Sequence, residues 1–92
     1  MNLRRLETFL AIVDAGTVTA ASVYLQAGQP ALTKQLKALE SELGLQLFDH
    51  ESNRLHLNAA GREVLPMARH IVQCVNEMKS SVQLITSNRH AS

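Results

Sequence analysis

Cysteine, proline, glycine, aromatic side chains and net charge are all scarce in this 92-residue chain, and each scarcity excludes something. A single cysteine, Cys74, cannot close an internal disulfide or found a cysteine-based metal site, and His50, His56, His70 and His90 lack ligand spacing, so no metal is expected. There is no glycine-rich phosphate loop, and no cofactor is expected. With two phenylalanines, one tyrosine and no tryptophan, the 46% hydrophobic content has to be mainly Leu, Val, Ile and Ala, which favours helices over sheets. No apolar run approaches the roughly 20 residues that cross a bilayer, and no signal-like segment opens the chain. The expectation is a cytoplasmic protein with no membrane partner. A chain this short buries roughly 60% of its unfolded surface, enough for one small domain but not for a deep cleft. No nucleophile and base stand at a useful spacing, so an enzyme is not expected.

A net charge of +1 argues on its own against a nucleic-acid partner, because phosphate binding usually leaves a basic excess. The distribution says more than the total. Basic residues cluster at Arg4 and Arg5, at Lys34 and Lys37, and at Arg54 with Arg62, while acids crowd positions 40–51. A dipolar surface fits behind the small sum.

The few breakers punctuate the chain clearly. Asn2 can cap a first helix whose Leu3, Leu6, Phe9, Leu10 and Val13 share a face and which ends before Gly16. Thr17 can cap a short second helix with Val18, Ala21 and Leu25 inward, and Gln26, Ala27 and Gly28 make a tight turn. Pro30 suits the first turn of a third helix, because the N–H it lacks has no partner there, and Gly44 suits its end. Leu32, Leu36, Leu39 and Leu43 form the buried stripe. Two short helices across a three-residue turn make a helix-turn-helix. Lys34 and Lys37 point almost opposite the leucines, with Gln29 and Thr33 beside them. An exposed polar face is ordinarily just solvated, but these side chains are also types that bond base edges and phosphates. After Gly44, Leu45 and Leu47, then Leu55 and Leu57, alternate with polar residues around the turn-prone 49–53, predicting a small β-hairpin, or wing. His50, Arg54 and His56 lie on or beside it, within reach of a phosphate or the minor groove.

Asn58 then caps a helix expected to run to about Thr86, about 40 Å at 1.5 Å per residue, against a globule about 27 Å across. Gly61 permits close packing, and Leu65 and Val72 can turn back on the first helix. Val64, Ala68, Ile71, Val75, Met78, Val82 and Ile85 alternate in steps of four and three, a heptad seam for a second copy of the chain. The expected organisation is therefore a mainly α winged helix-turn-helix over 1–58, a dimerisation helix over 59–86, and a disordered tail or the start of a hinge over 87–92.

From Leu3 to about Ile85 the chain resembles the LysR-type transcriptional regulators. The shared residues are Phe9, Gly16, Thr19, Ala21, Leu25, Gln29 through Leu36, Leu39-Glu40, Leu43-Gly44, Leu47-Phe48, Arg54, Leu57, Ala60-Gly61 and Leu65-Pro66. The resemblance implies that the third helix enters the major groove with Gln29, Pro30, Thr33 and Lys34 as its reading segment. It also implies that the wing touches a minor groove and that the long helices pair antiparallel. It implies further that a small-molecule effector acts only through a larger C-terminal domain outside this chain. The chain departs from the family pattern at Thr17-Val18 and Ser22, at His50, Asn53 and His56, where arginines are common, and at Asn58, where threonine is usual.

The expected function is sequence-specific binding of a homodimer to double-stranded DNA at an interrupted palindrome. Gln29, Pro30, Thr33 and Lys34 are the expected base-reading residues. Arg4, Arg5, Thr17, Lys37, His50, Arg54 and Arg62 are the expected backbone or wing contacts. Two alternatives stand beside it: a helical protein-interaction module whose function is the seam itself, and a winged-helix domain of another regulator family, such as the molybdate-responsive repressors.

Overall fold

The computed structural model describes the backbone of residues 1–51 and 54–91 and the side chains of 1–49 and 55–87. Four helices and one hairpin follow in the order α1 (Leu3–Ala15), α2 (Val18–Leu25), α3 (Gln29–Leu43), β1 (Phe48–Glu51), β2 (Arg54–Leu57) and α4 (Ala59–Ala91). The helix boundaries are those the breakers dictate. Asn2 accepts from Arg5 N at 2.9 Å and Thr17 Oγ1 accepts from Ala20 N at 3.0 Å, each supplying an oxygen to an otherwise unpaired N–H. Gly16 and Gly44 end α1 and α3 in the left-handed conformation. Gln26 ends α2 in the same conformation at φ 53°, a position where glycine is more usual.

α1 and α2 meet at 120°, and α1 also packs on α3 and α4, so Phe9, Ile12, Ala21, Leu32, Leu36 and Leu39 form one core. Among the described residues no single helix is long and apolar enough to cross a membrane. The wing is an antiparallel pair in the register Phe48↔Leu57, Asp49↔His56, His50↔Leu55 and Glu51↔Arg54. It begins later than the alternation at Leu45 predicts. Glu40 on α3 accepts from Leu47 N at 2.8 Å, and Leu47 is fully buried, so this residue anchors the connection and the strand starts after it. Phe48 seals the anchor with an edge-on contact to Phe9, ring centroids 5.6 Å apart.

Asn58 joins three elements. Its Oδ1 accepts from Gly61 N at 2.8 Å, its Nδ2 donates to Gln46 O at 2.9 Å, and its own N–H donates to Leu47 O at 3.0 Å. From there α4 continues to Ala91, beyond the expected end near Thr86, and the expected tail over 87–91 is helical backbone. The physical reason is the absence of any glycine after Gly61 or proline after Pro66 to stop it. At about 1.5 Å per residue the helix is about 50 Å long, and it gives the molecule extents of 59 × 26 × 19 Å.

Candidate nucleic-acid interface

α3 carries the site because its two faces are chemically opposite. Leu32, Leu36 and Leu39 are buried. Gln29, Pro30, Thr33, Lys34 and Lys37 line one open depression on the other side, all exposed except the half-buried Thr33. The N-cap residue Gly28 makes no side-chain cap bond, but Pro30 has no N–H and Ala31 N and Leu32 N both donate to Gly28 O, at 3.1 and 3.2 Å, so the positive charge of this face is that of the two lysines. Among the described residues neither Lys34 nor Lys37 is in an ion pair. The nearby acids are engaged elsewhere: Glu40 with Leu47 N, and Glu42 with Arg5 and the N-terminal amine.

A cleft of about 460 Å³ extends this face toward the wing, between the start of α2, α3 and the hairpin. Thr17, Gln29, Thr33 and Lys37 line it together with Thr19 and Gln46. Those last two were not singled out as contacts by sequence reasoning. Thr19 is legible only once the α2 N-terminus is set beside α3, and Gln46 only once Leu47 is known to anchor the loop. Arg62 is exposed at the start of α4, where its guanidinium donates to Leu57 O at 2.9 Å, beside the wing. His50 and Arg54 have strand backbone, but their side chains lie outside the described residues, as does Asn53 altogether.

Two expectations need correction, those for Arg5 and for the seam. Arg5 is not free for a phosphate: its guanidinium pairs with Glu42 at the far end of α3. The N-terminal ammonium, and after it Arg5, hold the Glu42 carboxyl below the usual carboxylate range. Arg4 is exposed, but in a separate cleft with Glu7, Thr8, Leu25, Ala27 and Leu32. The heptad seam also divides. Ala68 is buried in the protomer's own core and Val64 packs against it, because this part of α4 lies on the globule. Ile71, Met78, Val82 and Ile85 are exposed, and Val75 is half-buried. Among the described residues no group of three His, Cys, Asp or Glu side chains gathers as a metal site.

The chain is similar to known proteins over nearly all of this architecture. The model of the family described as bacterial regulatory helix-turn-helix protein, lysR family, matches residues 3–62. The HTH-type transcriptional regulator TcbR of Pseudomonas sp. (strain P51) is 38% identical over 73 residues, covering 79% of this chain and 25% of that protein. The RuBisCO operon transcriptional regulator of Allochromatium vinosum is 36% identical over 83 residues, covering 90% of this chain and 28% of that one. Among solved structures, the BenM_DBD/catB site 1 DNA complex superposes with a TM-score of 0.89 at 32% identity, covering 97% of this chain and 96% of that one. The CbnR_DBD-DNA complex does so with a TM-score of 0.86 at 32% identity, covering 94% and 99%. The chain thus spans about a quarter of the length of these two curated relatives and nearly all of each isolated domain crystallised with DNA.

Proposed function

This chain belongs to the lysR family of bacterial regulatory helix-turn-helix proteins, and we propose that it reads an interrupted palindrome in double-stranded DNA as a homodimer. It is a winged helix-turn-helix DNA-binding domain, and its relatives are transcriptional regulators rather than enzymes. Membership removes the alternative of another regulator family.

The observation that carries the reading is the gathering of Gln29, Pro30, Thr33, Lys34 and Lys37 on one open face. Gln29 and Thr33 suit base edges, as a bidentate amide and as a hydroxyl with a methyl, and Lys34 suits guanine or a phosphate. Lys37, Thr17, Arg62 and the wing residues His50 and Arg54 supply backbone contacts in this proposal, with Arg4 at the margin. Residues 1–58 then act as the reading head and α4 as the spacer that fixes the distance between half-sites. In the whole protein, a small-molecule effector would act through a further C-terminal domain, and the protein would work in the cytoplasm on the nucleoid.

The test is selection from a pool of random duplexes, repeated at two salt concentrations. Recovery of an inverted repeat with binding that weakens steeply as salt rises is expected. A folded chain that enriches no sequence even at low salt would leave α4 as the functional element and the α3 face as solvated surface.

A further inference from the structure

With α3 in one groove of a duplex and the wing in the next, the sugar-phosphate backbone that separates the grooves has to cross the cleft between them. That cleft, about 460 Å³, has an apolar floor, where Leu36 and Phe48 are buried and Val18 and Leu55 half-buried. Its rim is polar yet carries little net charge. Among the described lining residues Lys37 is the one cation, and Glu40, three residues further along α3, is the one anion. A phosphate seated here therefore depends on neutral hydrogen-bond donors as well as on the lysine. Gln46 is such a donor on the wing side. Its side chain is exposed, and its amide enters none of the described hydrogen bonds. Its backbone, in contrast, is held on every side. Gln46 O accepts from Asn58 Nδ2 at 2.9 Å, Leu47 N donates to Glu40 at 2.8 Å, and Leu47 O accepts from Asn58 N at 3.0 Å. The Leu47 side chain beside it is fully buried. A donor carried on a backbone already fixed gives up less freedom on binding, so its hydrogen bond contributes more.

We propose that Gln46 is a further DNA-contacting residue: its amide N–H donates to a non-bridging phosphate oxygen of the strand that passes between α3 and the wing. The contact sets how deeply α3 sits in its groove and reads no sequence. The proposal rests on the DNA-reading function above and adds to it a contact with its own signature. Lys37 meets phosphate as a charge and displaces counterions, whereas an amide displaces none. Thr33 lies half-buried in the same cleft and Gln46 is exposed at its rim, so the two meet different parts of the duplex.

The test titrates wild type and Gln46 variants on the duplex that the wild type selects and on a scrambled one, at several salt concentrations. Gln46→Ala should bind both duplexes about tenfold more weakly for each protomer engaged, with the slope of log affinity against log salt unchanged. Gln46→Glu, which keeps the size but sets a negative charge against the phosphate, should lose more than Gln46→Ala on both. Gln46→Lys should steepen the slope by about 0.9 per protomer, a gain that misfolding cannot produce. None of the three removes the carbonyl that Asn58 uses. Scanning both strands with single neutral methylphosphonate linkages should find one linkage per half-site at which the wild type weakens about tenfold and Gln46→Ala weakens no further, the non-additivity of two partners in one contact. Gln46→Ala and Gln46→Glu binding like the wild type would leave Gln46 in solvent in the complex. A loss confined to the selected duplex would make Gln46 a base reader. Either result overturns the phosphate contact while the wild type still selects its sequence. A folded wild type that selects no sequence removes the DNA-reading function itself.

Discussion

The Asp14 carboxylate on α1 meets the Arg69 guanidinium on α4 through two contacts, at 2.7 and 3.3 Å, and so ties the first helix to the last. The hydrogen bond from Arg69 holds the Asp14 carboxyl below its ordinary 3.8, although both side chains are about half exposed. A carboxyl depressed in the folded state adds stability that is present above its unfolded value and lost as pH falls through its folded one. Asp14→Asn should therefore cost about 0.2 to 1 kcal/mol at pH 7, the range for solvent-screened pairs. Urea melts of both proteins across pH should show that difference shrinking to nothing as pH falls through the lowered folded value of the Asp14 carboxyl. A difference that persists undiminished in acid would assign the effect to packing rather than to the pair.

Gly61 faces a wall. A Cβ placed there would run into the Leu47 carbonyl oxygen and come within 2.6 Å of Leu57 Cδ1. Backbone cannot yield as a flexible side-chain tip can, so Gly61→Ala should destabilise the domain by about 1 to 3 kcal/mol, despite alanine's higher helix propensity. Denaturant titration reads the sign directly, and a stabilised variant would show that the wing base gives way.

The sequence exposed what short-range chemistry controls, and long-range placement stayed hidden. Asn2, Thr17, Gly16, Gly44 and Pro30 mark helix ends because caps and left-handed turns act within four residues. The polar face of α3 was legible for the same reason: helical periodicity alone separates Lys34 and Lys37 from the leucines. Arg5 could not be placed that way, since its partner Glu42 stands 37 residues away and only tertiary folding unites them. Periodicity also cannot say which occupant covers an apolar stripe. Val64 and Ala68 look like the rest of the seam until α1 is packed on α4. Nor does alternation at Leu45 and Leu47 reveal that a glutamate on α3 will claim the Leu47 N–H.

Asn58 holds α4 to the wing connection from both sides. It caps Gly61 N and also donates to Gln46 O. Asn58→Ala removes both and should cost about 1 to 2 kcal/mol. Asn58→Thr keeps a capping oxygen but cannot donate an amide to Gln46 O, so it should recover part of that loss. Thermal melts of the three proteins give the ordering. Threonine equal to asparagine would show that the Gln46 bond adds nothing measurable.

Thr33 and Lys37 lie four residues apart on one helix face but have different partners to meet, and binding should separate them. Thr33 is half-buried in the cleft between α3 and the wing, where a hydroxyl and methyl sit too deep for a flexible phosphate contact and suit a base edge. Lys37 is exposed, with a long stem and a point charge suited to phosphate. Once a preferred duplex is known, Thr33→Ala should cost about 1 to 3 kcal/mol on that duplex and much less on unrelated DNA, relaxing the preference. Lys37→Ala should weaken all duplexes alike and reduce the slope of log affinity against log salt by about 1 per protomer contact. Titrations of both variants on specific and scrambled duplexes at several salt concentrations distinguish the roles. If Thr33→Ala lowers binding equally on every sequence, Thr33 positions the helix and does not read it. If Lys37→Ala leaves the salt slope unchanged, the lysine faces solvent in the complex.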